Sequence, residues 1–170
     1  MSSMAEEKSL SDITAQNSAT RQWVTFRLDN ETYGIGVLRV REVLRMTDIT
    51  PVPGAPASVE GIINLRGVVV TIVDGRRHFS LSPKAVDQDT RIIIVDLDDE
   101  SMVGIVVDSV SVVVDLADTD IDLVSGVGSD DSSKYIHGVA NRNDDLLILI
   151  DLDKLFDKSD LSIEGSDDLF

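Results

Sequence analysis

Apolar side chains along this chain concentrate in short segments of five to seven residues separated by polar or glycine-containing breaks, the length and punctuation of β-strands rather than helices. Residues 23–29 read as a first strand, Asp29-Asn30 as its turn, and 32–36 as the start of the return. Residues 41–45 fit a strand or a helical turn. Pro51, Pro53 and Pro56 then exclude a regular element, since each removes a backbone donor and fixes φ. Residues 55–58 fit one helical turn with proline at its start. Two apolar runs follow, 59–65 and 68–74. Arg66-Gly67 between them suits a tight hairpin in which glycine supplies a positive φ.

The polar stretch 80–90, with Pro83, reads as a linker. Beyond it come apolar runs at 91–97, 102–107 and 110–116, a Gly/Ser/Asp loop at 125–133, a hairpin of 135–141 with 146–151, and a short closing helix at 152–156. Val and Ile together number 37, and β-branched side chains favour a pleated backbone. About ten short strands with turns at intervals of eight to twelve residues predict an all-β fold of two small barrels, split five and five by the linker. Residues 1–20 and 157–170 are polar and read as disordered tails, the second one acidic, around a folded unit at 21–156.

Charge adds an asymmetry to this picture. The chain of 170 residues carries a formal charge of −16. Residues 21–84 are net +3 and residues 85–170 net −17. An acidic chain with only 4% aromatic residues argues against a nucleic-acid surface and against an anionic membrane. The longest apolar run, at 146–150, is five residues, against roughly 18 needed to span a bilayer. Residues 1–12 lack the basic patch and apolar core of a signal peptide, so a soluble, cytoplasmic protein with no direct membrane insertion is expected.

Candidate chemistry is sparse. With no cysteine and only two histidines, His78 and His137, thiol catalysis, thiolate zinc sites and histidine-rich metal centres are excluded. Gly34-Ile35-Gly36 lacks the third glycine of a dinucleotide fingerprint, and no phosphate loop occurs. Asp118, Asp120 and Asp122 resemble the start of a calcium loop, but Leu123 replaces its glycine and Ser129 its bidentate glutamate. Asp74-Gly75 and Asp108-Ser109 each follow an apolar strand without continuing as a protease motif, and each reads as a turn cap. No catalytic residue, metal ligand or cofactor is expected, and a chain without chemistry but with much β-edge points to a binding module.

Several segments together resemble the CheW family of bacterial chemotaxis coupling proteins. They are Tyr33-Gly34-Ile35, Val40-x-Glu42-Val43-Leu44-Arg45, Gly61-Ile62-Ile63-Asn64-Leu65-Arg66-Gly67 and Val103-Gly104-Ile105-Val106-Val107-Asp108, with Leu146-Leu147-Ile148-Leu149-Ile150-Asp151 at the end. The resemblance spans about residues 22–156. It implies two interlocked five-stranded SH3-like barrels with a core between them. The first would take residues 21–79 plus the C-terminal strand and helix, the second residues 88–145.

The resemblance implies no catalysis. It implies an adaptor that joins the cytoplasmic tip of a methyl-accepting chemoreceptor to the regulatory domain of the histidine kinase CheA, in membrane-associated receptor arrays. A related array controlling pilus motility or gene expression is the alternative. The length excludes the kinase itself. By the same resemblance Val37, Val40, Glu42 and Arg66 lie at the receptor groove, with Glu42 and Arg66 paired; an arginine fork suits bidentate capture of a carboxylate. Val110 and Val113 face the kinase, and Val127 a second, ring-closing contact. The chain departs from the family pattern at Leu123-Val124-Ser125, where a Pro-x-Pro is common, at Val127 for a bulkier residue, at Thr71 for proline and at Gly75 for leucine.

Overall fold

β-Branched runs that carry no helical stripe bury best between other strands, and a computed structural model of the chain places them there. It describes residues 20–98, 100–123, 135–142 and 144–156. The strands are β1 (Thr20–Leu28), β2 (Glu31–Gly36), β3 (Val40–Arg45), β4 (Val59–Leu65), β5 (Val68–Asp74), β6 (Arg91–Asp96), β7 (Met102–Val107), β8 (Ser109–Ala117), β9 (Ile121–Leu123), β10 (Ile136–Arg142) and β11 (Asp145–Ile150). Two helices of four residues, α1 (Gly75–His78) and α2 (Leu152–Leu155), and 3-10 turns at Val37–Arg39 and Asp118–Asp120 complete the described elements.

The architecture is all-β, as the pattern predicts, and an SH3-like pair of sheets, as the resemblance implies. One sheet has six strands in the order β8-β1-β2-β11-β10-β9, the other five in the order β3-β6-β7-β5-β4. Pairing does not follow the linker. The six-stranded sheet joins β1 and β2 to strands from the C-terminal half, with β11 parallel to β2. The five-stranded sheet joins β3, β4 and β5 to β6 and β7, with β7 parallel to β5. A five-and-five division at the linker therefore fails as a rule for pairing, because each half of the chain supplies strands to both sheets. Among the described residues neither sheet closes on itself.

Other local expectations also change. Residues 41–45 lie in a strand. Residues 55–58 form turns rather than a helical turn, closed by a 2.9 Å bond from the Val59 N–H to the Pro56 carbonyl. Helix α1 is not signalled by any apolar period; Asp74 caps it, its carboxylate accepting from the Arg76 N–H at 3.0 Å. The chance calcium-like segment is the Asp118–Asp120 turn followed by β9.

Three apolar clusters hold the sheets. Trp23, Val114, Leu116, Ala140, Leu147 and Leu149 fill the six-stranded sheet, and Ile63, Val70, Ile72, Ile92, Ile94 and Val106 the five-stranded one. The largest cluster, including Phe26, Leu28, Ile35, Val73, Ile93, Val95, Ile105 and Ile150, lies between them. Strand β6 shows why its sequence does not alternate. Ile92 and Ile94 face one core, Ile93 and Val95 the other, and all four have no exposed surface. A strand covered on both faces reads as a continuous apolar run.

Gly75 sits at a tight join. A Cβ there would stand 2.6 Å from the Val106 carbonyl oxygen and 3.2 Å from Leu28, so the leucine usual in the family does not fit this backbone. The departure at Gly75 is thus a packing feature and not merely one of chain stiffness.

Candidate functional site

The β4–β5 turn has two central residues with positive φ, Arg66 at 50° and Gly67 at 89°. That is the geometry a two-residue hairpin needs to match strand twist. The Asn64 side-chain oxygen accepts from the Gly67 N–H at 2.7 Å and locks the tip. Arg66 is thereby aimed across to β3. Its Nη2 donates to both carboxylate oxygens of Glu42, at 2.6 and 2.7 Å. The expected pair is present, but one nitrogen serves both oxygens instead of two nitrogens serving one each. The arginine side chain is 70% exposed, the glutamate 26%.

Val37 and Val40 close the two ends of the 3-10 turn, the Val40 N–H donating to the Val37 carbonyl. They then diverge. Val40 pairs with Val95 and packs partly into the core between the sheets. A bulge at Arg41 follows, and Glu42 pairs with Ile94. Val37 is half-buried and lines a groove of about 710 Å³ with Trp23, Leu38, His137, Ile150 and Leu152. The structure therefore joins Glu42 to Arg66, sets Val37 and Val40 on the adjoining turn, and gives Val40 a packing role as well.

Arg39, which the sequence did not single out, fixes that turn. Its Nε donates to the Asp96 carbonyl at 2.9 Å, Nη1 to Asp98 at 2.7 Å and Nη2 to Asp153 at 2.6 Å. Burial would lower the arginine pKa, but the bonds to Asp98 and Asp153 and their charges outweigh it and hold it above the usual value. The turn before β3 is thus tied to the β6–β7 connection and to α2.

Strand β8 is an edge strand of the six-stranded sheet, hydrogen-bonded to β1. Val113 is 51% exposed and Val112 65%. Val110 is half-buried and packs against the central core. The buried Thr25 hydroxyl donates to the Val112 carbonyl at 2.6 Å, bridging the place where the β1–β8 register shifts. Of the three expected kinase-facing residues, Val113 is solvent-facing, Val110 is partly core, and Val127 lies outside the described residues, as do Val124 and Ser125 of the altered Pro-x-Pro segment.

Sequence reasoning did not anticipate the pairing of Arg76 with Asp108. Arg76 of α1 grips Asp108 with a true fork, Nε to one oxygen at 2.8 Å and Nη2 to the other at 2.7 Å. Asp108 also accepts from the Asp29 N–H at 2.8 Å, and Arg76 Nη1 donates to the Ser82 carbonyl at 2.8 Å. Both side chains are largely buried. Burial alone would raise the Asp108 pKa, but the bonds from Arg76 and the Asp29 N–H and the arginine charge more than offset it and hold it below the ordinary carboxylate value. The only sequence hint was the acid directly after β7.

Among the described residues neither histidine is hydrogen-bonded to an acidic or hydroxyl side chain. His78 meets the Leu155 carbonyl at 2.9 Å among Phe79, Tyr135 and Phe156, and His137 lies against Trp23. Among the described residues, no three acidic or histidine side chains cluster to hold a metal ion, and no helix is long and apolar enough to cross a membrane. The arrangement offers binding faces built from apolar side chains and charge-assisted hydrogen bonds.

The chain matches the family model described as the CheW-like domain over residues 22–160. It is 33% identical over 155 residues to the chemotaxis protein CheW of Treponema pallidum, across 86% of this chain and 88% of that protein. It is 28% identical over 154 residues to protein FrzA of Myxococcus xanthus, across 89% and 93%. The crystal structure of the scaffolding protein TtCheW from Thermoanaerobacter tengcongensis has a TM-score of 0.75 at 32% identity, covering 82% of this chain and 94% of that one.

Proposed function

The chain belongs to the CheW-like domain family, and on that footing we propose that it is a non-catalytic adaptor coupling chemoreceptor cytoplasmic tips to the histidine kinase CheA. In this reading the protein works in the cytoplasm and is recruited to membrane-associated receptor arrays, with residues 21–156 as the working unit and residues 1–20 and 157–170 as its tails. The observation that carries it is the Glu42–Arg66 pair on a hairpin tip locked by Asn64, beside the apolar turn that bears Val37 and Val40. A charge-assisted pair at the rim of an apolar face sets orientation and specificity, while the apolar anchors supply most of the affinity.

Val110 and Val113 on β8 are assigned to the CheA regulatory domain, and Val127 to a second kinase contact. Their strand is an exposed edge on the sheet opposite to the one that carries β3 and the hairpin, which supports two partners bound at once. A receptor signal passes only where these contacts differ in free energy between receptor states. The match to FrzA, a protein not named for chemotaxis, supports keeping an adaptor of a different chemosensory array as the alternative.

Co-sedimentation with a receptor cytoplasmic fragment and the CheA regulatory domain, separately and together, tests the reading. The expected result is binding to each and a ternary pellet when all three are mixed. Binding to neither partner, or competition between them for one surface, would overturn it.

A further inference from the structure

Strand β3 lacks a neighbour on one side. It ends the five-stranded sheet, hydrogen-bonded to β6 and, among the described residues, to no strand beyond. Arg41, Val43 and Arg45 alternate along it and are all exposed, Val43 by 41%. A bare strand edge bearing an apolar side chain is a template for another extended segment. Arginines on the edge narrow the choice to a segment that carries carboxylates.

The charge on this edge is unbalanced. Arg41 donates to Asp96 at 3.0 Å, but Arg45 has no ion pair or side-chain hydrogen bond among the described residues. The residue opposite Arg45 in the ladder is Arg91, whose side chain donates to the carbonyls of Gln88 and Thr90 and not to a carboxylate. Like charges directly opposed on adjacent strands repel. In a chain of net −16, this is a place where positive charge is left without its acid.

The chain itself carries a matching segment. Residues 157–170 hold five acids and one lysine, net −4. Within them Asp160-Leu161-Ser162-Ile163-Glu164 alternates polar and apolar residues with period two. Its two acids stand four apart, as Arg41 and Arg45 do, and Ser162 then falls level with Val43. The segment also begins in the right place. Asp153 of α2 accepts from Arg39, the residue before β3, and residues 157–160 span up to about 14 Å when extended. A segment that leaves α2 there and follows β3 runs parallel to it.

We propose that residues 160–164 add to the free edge of β3 as a parallel strand, with Asp160 beside Arg41, Ser162 beside Val43, and Glu164 beside Arg45 and Arg91. Leu161 and Ile163 then turn to the side of Leu44, which packs partly into the core of the five-stranded sheet. Main-chain hydrogen bonds supply the attachment, and the alternation of the segment with its two acids sets the register. Glu42 lies on the same strand, so the segment is an intramolecular cover that a partner approaching Glu42 and Arg66 must displace. The docking stands on these residues alone; that the displaced partner is the receptor tip rests on the adaptor reading above.

The chain has no cysteine, so an introduced pair reports position without interference. Full-length Val43→Cys/Ser162→Cys and Val43→Cys/Leu161→Cys proteins are oxidised at low salt. A directly opposed pair lies within disulfide reach, whereas the next residue along points to the other face. The Ser162 pair is expected to close about fivefold faster within one chain, the advantage shrinking near 1 M salt as the charges are screened. Asp160→Lys/Glu164→Lys is expected to bind a receptor cytoplasmic fragment about threefold more tightly than the parent at low salt, since two exposed ion pairs of the cover are lost. Asp167→Lys/Asp168→Lys, with the same net charge, is expected to bind as the parent does.

Equal closure rates for the two cysteine pairs overturn the docking. Closure mainly between two copies of the chain overturns its intramolecular form. Equal receptor affinity of Asp160→Lys/Glu164→Lys and the parent overturns the covering role. If neither protein binds the receptor fragment at all, the adaptor reading falls, and the closure rates still decide the docking.

Discussion

Arg66 reaches Glu42 from a backbone that most residues avoid. Its positive φ, forced by a two-residue turn, is what swings the side chain over β3. The pair is exposed on the arginine side, so its net worth to folding is about 1 kcal/mol or less. Arg66→Ala is therefore expected to keep its melting temperature within a few degrees while losing receptor-dependent kinase activation. Circular dichroism melting beside a kinase-activation assay checks both halves; full activation by the folded variant would remove Arg66 from the site. That Glu42 and Arg66 belong together was legible from the motif, whereas the one-nitrogen geometry was not, since it depends on where the turn sets the guanidinium.

Strand β8 shows how an element sorts residues that look alike in sequence. Its valines differ only in the direction each faces and in the register shift against β1, which pairs Val110 with Phe26 but Val113 with Val24. Val110 therefore packs partly into the central core, and Val113 faces solvent. Val113→Glu is expected to weaken CheA regulatory-domain binding about tenfold with little change in stability, as suits an exposed interface position. Val110→Glu instead places a charge against apolar core and is expected to cost about 2 kcal/mol or more of stability, which confounds any binding measurement. Titration calorimetry together with urea unfolding of both variants separates the two cases. Val113→Glu binding the kinase domain normally would move that contact off β8.

At the scale of the whole molecule, Arg76 and Asp108 bridge the seam that the central apolar cluster fills. Arg76 follows β5 of the five-stranded sheet, Asp108 joins β7 of that sheet to β8 of the other, and the Asp29 N–H that Asp108 accepts comes from the β1–β2 turn. Breaking such a largely buried pair from one side leaves a charge uncompensated, at about 3 kcal/mol. The folded pKa of Asp108 is depressed, so its contribution is complete above the unfolded value of about 4 and is lost as pH falls through the folded one. Asp108→Asn is expected to be less stable at neutral pH and to lose less on acidification than the parent. Urea unfolding at pH 7 and pH 3 measures this, and an equal loss in both proteins would assign acid sensitivity to other carboxylates. The basic and acidic halves of the chain do not become two differently charged sheets, since each half contributes strands to both.

The sequence by itself determined the strand-rich composition, most strand positions, the hairpin at Arg66-Gly67 and the family, because these depend on local backbone preference and on a contiguous motif. Only the tertiary structure decided which strands pair across the linker, which valines are core, and that Arg39 and Arg76 are fixed by partners dozens of residues away. Period two states that a side chain alternates and not what lies opposite it. Partner choice is set by the burial that two sheets achieve together, and no local stretch of chain encodes that.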